Sequence, residues 1–313
     1  MRKRFALGVV AAALAGCTFG TSGALAATQF GDGCVANAAE SIGPVTLFEL
    51  SAPANPLPQA APVSGVLTSW RISLIPEVPV VIPTTLKVIR ANPAAKTAVV
   101  IGEGSGNVAS GTNQFNTRIP IQAGDRLGIS GDSKIGALYC NGAPPSVIGA
   151  MLNSFPGLGP TPFEEESRPL RVPIVGLIEP DVDGDGYGDE TQDGCPQSAA
   201  YHTPCPVITL DTINLVGRKA ATILVASSLT APVSVSGTVK IGKGTTTQLK
   251  AGPQTVAPGQ LIRFKLNFPT ALKKRLKELK PKQKLTLNVT ASATNITGSA
   301  STDKSNVKLG GQG

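Results

Sequence analysis

The 313-residue sequence predicts a mainly β protein: two antiparallel β-sandwich domains, the second immunoglobulin-like, joined by an acidic loop. Three observations carry this expectation. Apolar residues recur with a period of two in several short runs, 35 Gly and 26 Pro punctuate those runs, and charge is distributed in blocks. Charged residues make up only 15% of the chain, too few for a disordered polyelectrolyte, and neither a collagen repeat nor sustained heptads occur.

The N-terminus reads as an address. Met1-Arg2-Lys3-Arg4 is a positive patch and Phe5 to Gly16 is apolar and uncharged, which together describe a secretory signal over residues 1–27. Two exits compete. Ala24-Leu25-Ala26 has the small-x-small form of a cleavage site near Ala26 or Ala27, whereas Leu14-Ala15-Gly16-Cys17 fits a lipobox that would place Cys17 under a lipid anchor. Beyond the signal no uninterrupted apolar run approaches the ~20 residues of a transmembrane helix. The expected location is therefore extracellular, either released or held at the cell surface through Cys17.

Cysteine usage agrees with export. Setting Cys17 aside leaves Cys34, Cys140, Cys195 and Cys205, an even number with three possible pairings. Cys195 and Cys205 flank a short Pro-punctuated loop, so local closure is the simplest pairing and leaves Cys34 for Cys140. On a chain-entropy model the short loop contributes about 2.8 kcal/mol and the long one about 4.8 kcal/mol.

Residues 28–160 form the first expected domain. In its strongest run Val66, Thr68, Trp70, Ile72 and Leu74 alternate with Leu67, Ser69, Arg71 and Ser73. Shorter β-rich runs follow the same logic at 45–50, 86–90, 97–101, 118–121 and 126–130. Gly102 to Gly106 lacks the spacing of a dinucleotide fingerprint and reads as a turn. Gly142 to Pro162, rich in Pro and Gly with Val147, Ile148, Met151 and Leu152 between them, is expected to cover an edge of the sandwich. Residues 28–159 carry seven Lys or Arg against seven Asp or Glu, so this unit is neutral.

Residues 161–206 form an acidic linker: from 160 to 205 there are two basic residues against ten acidic ones. Its core reads DVDGDGYGDETQDGCP from Asp181. Alternate placement lets Asp181, Asp183 and Asp185 turn toward one point, and Gly186 permits the sharp turn that a wrapped cation requires. Oxygen-only ligands select a hard ion; Zn would want His or Cys, and Mg fewer protein ligands and more water, so Ca²⁺ is the expected occupant. By the EF-hand scheme Tyr187 gives its backbone carbonyl and Asp189 binds directly or through water. Position 12, where that scheme has a bidentate Glu, is Gln192. Asp193, one residue on, replaces it if the loop is wider, and Glu190 is a weaker candidate. The alternative is a solvated acidic linker, which would leave three alternating Asp with no cation to screen their repulsion.

The DxDGDGxGD run closing on Cys-Pro resembles a thrombospondin type 3 calcium repeat over residues 181–196, with one extra residue before the final Asp and no second repeat behind it. The resemblance implies calcium binding through Asp181, Asp183, Asp185 and Asp189. The wider layout, a β-rich domain, one such repeat and a Lys-rich β domain, resembles that of secreted actinobacterial proteins.

Residues 207–313 form the second expected domain, with sixteen basic residues against three acidic ones over 206–313. Ile262, Phe264, Leu266 and Phe268 alternate with polar residues, as do Leu285, Leu287, Val289 and Ala291, so two strands face one core. Between them Leu272, Leu276 and Leu279 fall on one helical stripe, with Thr270 at the N-cap position and Pro281 as the stop. Strands at 223–225 and 233–241 complete a unit of immunoglobulin-like size. Gly237 to Gly244 approaches a phosphate-binding P-loop but ends in Gly244 where Ser or Thr is needed, and reads as a hairpin.

The remaining signals are weak. His202 is the single histidine, which leaves no partner for a Ser-His-Asp triad. The basic run Lys273 to Lys284 reads as the wet face of the helix; no aromatic follows Phe268, so nucleic acid is not an expected partner, and a wall polymer or glycan outside the cell is the nearer one. The sequons at Asn288 and Asn295 mean little in a bacterial-type exported chain. The sequence therefore predicts a non-enzymatic, calcium-binding structural or adhesive protein. A carbohydrate-binding module is the rival, although Trp70 alternates with core residues and Tyr139 precedes a cysteine. A hydrolase whose carboxylates cannot be paired from sequence comes third.

Overall fold

A computed structural model describes residues 26–40, 45–52, 55–76, 81–131, 136–152, 155–242, 244–278, 284–293 and 302–310. The signal segment with Cys17, and Leu279 and Pro281 of the expected helix, lie outside the described residues.

The fold is mainly β. The strands in chain order are β1 (Thr28–Gly31), β2 (Val35–Ala36), β3 (Ala38–Glu40), β4 (Val45–Ser51), β5 (Gly65–Leu74), β6 (Ile82–Asn92), β7 (Thr97–Val108), β8 (Gly111–Ile121), β9 (Arg126–Gly131), β10 (Ala137–Leu152), β11 (Thr161–Pro162), β12 (Glu164–Arg171) and β13 (Val175–Glu179). Then come β14 (Ile208–Val216), β15 (Ala220–Ser227), β16 (Ala231–Ile241), β17 (Thr246–Val256), β18 (Ile262–Asn267), the helix α1 (Thr270–Lys277), β19 (Lys284–Ala293) and β20 (Thr302–Gly310).

The first thirteen strands build two sheets. One has the order β1-β13-β5-β2 with β8 also on β5; the other runs β11-β7-β6-β9-β4-β10-β12 with β3 on β10. Phe30, Leu67, Trp70, Ile72, Leu86, Val88, Ile129, Ile174 and Ile178 form the core between them. Of the alternation read at Val66 to Leu74, Trp70, Ile72 and Leu74 are buried with Arg71 exposed between them, but Leu67 and Ser69 are buried too, so β5 is covered on both faces from Val66 to Trp70 rather than half-buried. A smaller cluster on the larger sheet centres on Phe48, Ile89, Met151 and Phe163, with Phe48 and Phe163 edge to face at 5.3 Å.

Three expectations for this unit are corrected. Gly102 to Gly106 is not a turn but the middle of β7. Its glycines face bulky neighbours: a Cβ on Gly102 would fall 2.4 Å from Ile119, and one on Gly106 2.6 Å from the Phe115 ring, which itself packs 4.4 Å from Trp70. The glycines there make room for Ile119 and for the Phe115 ring. Gly142 to Pro162 does not cover an edge as a whole: its first half belongs to β10, an interior strand paired with both β4 and β12, and only Thr161–Pro162 adds to the edge at β7. The acidic linker is also shorter than 161–206. Glu164–Arg171 pairs with β10, and Val175–Glu179 pairs with both β1 and β5, because Leu170, Val172, Ile174, Val175 and Ile178 are buried. The charge count over this segment masked those apolar residues.

The last seven strands form a three-stranded sheet, β14-β15-β18, and a four-stranded one, β17-β16-β19-β20. Both enclose one core containing Ile223, Val225, Val233, Val239, Phe264, Leu266, Leu287 and Val289. The two alternating runs of the sequence, β18 and β19, face that core from opposite sheets. Helix α1 connects them and buries Leu272 and Leu276. Thr270 is not its N-cap: Pro269 holds that place without a side-chain cap, its carbonyl accepting the Lys273 N–H at 3.0 Å. Gly237 to Ile241 is strand, and a turn at Gly242 leads into β17, so this segment is a hairpin.

Both cystines are formed as Cys34–Cys140, joining the edge near β2 to β10, and Cys195–Cys205. Among the described residues no helix is long and apolar enough to cross a membrane.

Candidate metal centre

The chain leaves β13 at Glu179 and enters the Asp-rich loop through Pro180. The loop winds because its side chains capture its own backbone. Asp181 accepts the N–H groups of Gly184 (2.8 Å), Asp185 (3.1 Å) and Gly186 (3.1 Å). Asp183 Oδ1 accepts from Asp185 N, and Asp185 Oδ1 from Tyr187 N at 2.8 Å. Gly184 and Gly186 have φ of +75° and +84°, a region that L side chains rarely enter, and this places successive carboxylates on one side of the turn.

As a result the carboxylate oxygens of Asp181, Asp183 and Asp185 lie within 4.8 Å of one another, a group that could hold a metal ion. Asp183 Oδ2 and Asp185 Oδ2 are buried and have no hydrogen-bond partner. Asp193 adds a third such atom. Its Oδ1 accepts the Cys195 N–H at 2.7 Å, its Oδ2 is buried without a partner, and the residue is only 6% exposed. Burial pushes the Asp193 carboxyl up, and the negative charges of Asp185 and Asp183 add to the shift while His202 opposes it. Asp189 is pushed up to about 6, first by burial and then by Asp181, Asp183 and Asp193, against the Val182 N–H that its carboxylate accepts. Five carboxylates thus share one electrostatic neighbourhood.

Two residues expected near the ion have other work to do. Gln192 is held by both ends of its amide: its nitrogen donates to Thr117 O at 2.8 Å and its oxygen accepts from Gly188 N. Glu190 Oε1 accepts the Ala27 N–H at 2.6 Å, tying the loop to the start of β1. Tyr187 contributes its ring as well as its backbone. The ring lies under the Arg118 guanidinium at 4.0 Å and stacks on His202 at 4.5 Å with an interplanar angle of 3°. His202 is therefore a packing partner within the Cys195–Cys205 loop.

The sequence offered no sign of the group that anchors this loop. Glu179 is wholly buried and accepts four hydrogen bonds, from Thr68 Oγ1 (2.9 Å), Thr191 Oγ1 (2.7 Å), Thr191 N (2.8 Å) and Glu190 N (3.0 Å). Only its place at the end of an apolar strand, ahead of Pro180, marks it in the sequence. On the far side, Tyr201 packs against the second core and its hydroxyl donates to Thr230 O at 2.8 Å. A cleft of about 470 Å³ opens beside Asp181, with Arg90, Gln122 and Ser64 on its walls.

The aromatic residues of the first unit are mostly packed inside. Trp70 is 1% exposed and its indole nitrogen is buried. Asp32 and Glu49 are also buried carboxylates, but they are sealed: Asp32 pairs with Arg171 at 3.0 Å and Glu49 accepts the Val172 N–H.

No family model matches the chain, and no curated protein matches it. Solved structures similar to it include a β-glucuronidase of Bacteroides uniformis, at 12% identity and a TM-score of 0.20, covering 78% of this chain and 24% of that one. Bacteroides uniformis β-glucuronidase 2 covalently bound to cyclophellitol-6-carboxylate aziridine gives 11% identity and a TM-score of 0.22, covering 91% and 32%. A calcium-binding mutant of the same enzyme gives 11% and 0.21, covering 91% and 33%. The chain spans a quarter to a third of the length of these structures. Scores this low carry no argument about fold or activity.

Proposed function

We propose that this is an exported, non-enzymatic calcium-binding protein of structural or adhesive role, in which Ca²⁺ orders a thrombospondin type 3-like loop between two β units. The observation that carries the reading is the set of three buried carboxylate oxygens without partners, Asp183 Oδ2, Asp185 Oδ2 and Asp193 Oδ2. A buried carboxylate oxygen without a donor is costly, and three in one loop are stabilised together by one divalent cation. Asp181, Asp183 and Asp185 would hold the ion, with Asp193 taking the closing position, Asp189 binding directly or through water, and the Tyr187 carbonyl adding a neutral oxygen. All of these donors are oxygen, which favours a hard ion with a high coordination number, and Ca²⁺ accepts such an irregular set more readily than Mg²⁺.

Where the loop is fastened supports a structural role. Glu179, Gln192 and Tyr187 hold it to the first unit, and the neighbouring cystine loop reaches the second through Tyr201. An ion that stiffens the loop thereby limits the relative freedom of the two units. The two cystines favour an oxidising compartment.

Calorimetric titration with calcium tests this, on wild type and on Asp183→Ala. Binding with a Kd in the range of extracellular modules, about 10⁻⁴ to 10⁻³ M, is expected for wild type and is lost in the variant. The absence of heat at millimolar calcium, together with identical proteolysis of the loop with and without chelator, would sink the proposal.

A further inference from the structure

The four-stranded sheet of the second unit carries a polar, basic solvent face. Its register sets the outward residues in rows. Lys240 stands between Thr246 and Thr286. Two residues along, Thr238 stands between Gln248 and Asn288. Two residues further, Ser236 stands between Lys250 and Thr290. The intervening residues Val235, Val239, Leu249, Leu287 and Val289 are buried, while Ser236, Lys240, Gln248, Lys250 and Asn288 are exposed.

Two rows containing lysine therefore flank a row of amides and hydroxyls. The one acidic residue in these four strands is Asp303, which stands opposite the buried Ala291 and accepts the Leu210 N–H at 2.8 Å. No carboxylate occupies a row position. The opposite sheet differs, since Asp211 lies on β14 and Leu224 stands opposite Arg263.

Strands lie ~4.8 Å apart and residues two along a strand ~6.8 Å, so the lysine rows are ~14 Å apart. That is less than two Debye lengths at physiological salt, ~8 Å each, so their potentials overlap into one positive field. The rows hold no aromatic residue for stacking a base or a sugar ring and no Arg for bidentate recognition. Lysines act as point charges for phosphate oxygens, and the hydroxyls and amides between them can hydrogen-bond to phosphate or alcohol groups.

We propose that this face binds a linear phosphodiester polymer of polyol units, held by Lys240 and Lys250 with Thr238 and Asn288 between them. The contact is independent of the calcium loop and persists in chelator, so its failure and that of the calcium reading are distinguishable.

The test measures binding of the full chain to poly(glycerol phosphate) in EDTA over a range of salt. The logarithm of the association constant is expected to fall linearly with that of the salt concentration. K240Q/K250Q should reduce the slope by about 1.4, at ~0.7 per neutralised charge, which weakens binding roughly 25-fold at ~0.1 M salt. Thr238→Asp, which sets a carboxylate in the middle row, weakens it as well, and unchanged melting temperatures confirm that these surface variants fold. K273Q/K274Q/K277Q on α1 should bind like wild type. The proposal is overturned by absence of binding, by loss of affinity in the α1 variant with none in K240Q/K250Q, or by tighter binding of duplex DNA or heparin than of the polyol phosphate.

Discussion

Thr191 closes onto Glu179 twice, through its hydroxyl at 2.7 Å and its backbone N–H at 2.8 Å, and this pair fixes the Asp-rich loop to the end of β13. The carboxylate is fully buried yet has no cationic partner in its set of four donors. Four donors aimed at one carboxylate are matched by an anion and mismatched by an amide, whose NH₂ would face N–H and O–H groups. Glu179→Gln is therefore expected to destabilise the first unit by about 2 to 3 kcal/mol, read by denaturant unfolding. It should also leave the loop open to protease even with calcium present. A variant as stable as wild type would show that the four bonds contribute little.

Gly188 is the backbone counterpart of that anchor. A Cβ there would lie 2.5 Å from Thr68 Cγ2 and 2.6 Å from Glu179 Oε2, so the loop can approach β5 only because the residue has no side chain. Gly188→Ala should push the loop off the sheet and cost about 1 to 3 kcal/mol, as overpacking does. The calcium affinity should fall with it, because the aspartates are presented by the displaced backbone. Thermal melts with and without calcium check this: the stabilisation by calcium should shrink in the variant.

How much of this was legible in the sequence depended on whether a pattern was local. The period of two survives folding from Trp70 to Leu74, where Arg71 is exposed and Ser73 partly so, whereas Val66 to Trp70 are buried on both faces of β5. Asp181, Asp183 and Asp185 were legible for a similar reason, since their spacing and the glycines between them act within a single turn. Gly102 to Gly106 misled because its glycines serve neighbours distant in sequence, Ile119 and Phe115, and that demand leaves no local signature. Charge misled in the same way at Glu164 to Glu166, where three acidic residues sit on an edge strand whose last two residues, Leu170 and Arg171, are buried. Glu179 combined both difficulties, being a charged residue made internal by partners more than ten residues away.

Glu49 gives the first unit a dependence on pH. It lies on β4, 4% exposed, and burial pushes its carboxyl up to about 8, with Asp32 adding to the shift while the Val172 N–H, Arg171 and Arg126 oppose it. The folded state therefore holds a proton that the unfolded chain releases near pH 4.5. Stability from this group is fully present below about pH 4.5 and falls as pH rises toward 8, by up to ~1.4 kcal/mol per pH unit. Glu49→Gln keeps an acceptor for Val172 and cannot ionise. Its melting temperature is expected to match wild type near pH 5 and exceed it near pH 8; a difference that does not change with pH refutes the assignment.

The closing ligand of the loop separates two adjacent residues. Gln192 stands where the EF-hand scheme has its bidentate Glu, but its amide spans Gly188 N and Thr117 O, so it serves the fit of the loop on β8. Asp193 is the residue with a buried, unpartnered oxygen, and its carboxyl feels the charges of Asp185 and Asp183. Asp193→Asn keeps the bond from Cys195 N and removes one negative charge, and it should weaken calcium binding about tenfold or more. Gln192→Glu, which would complete the EF-hand pattern by sequence, replaces the donor to Thr117 O with a second acceptor. It should lower stability with no gain in calcium affinity. Calorimetry on the two variants decides between them: tighter binding by Gln192→Glu with wild-type binding by Asp193→Asn would hand the closing position to residue 192.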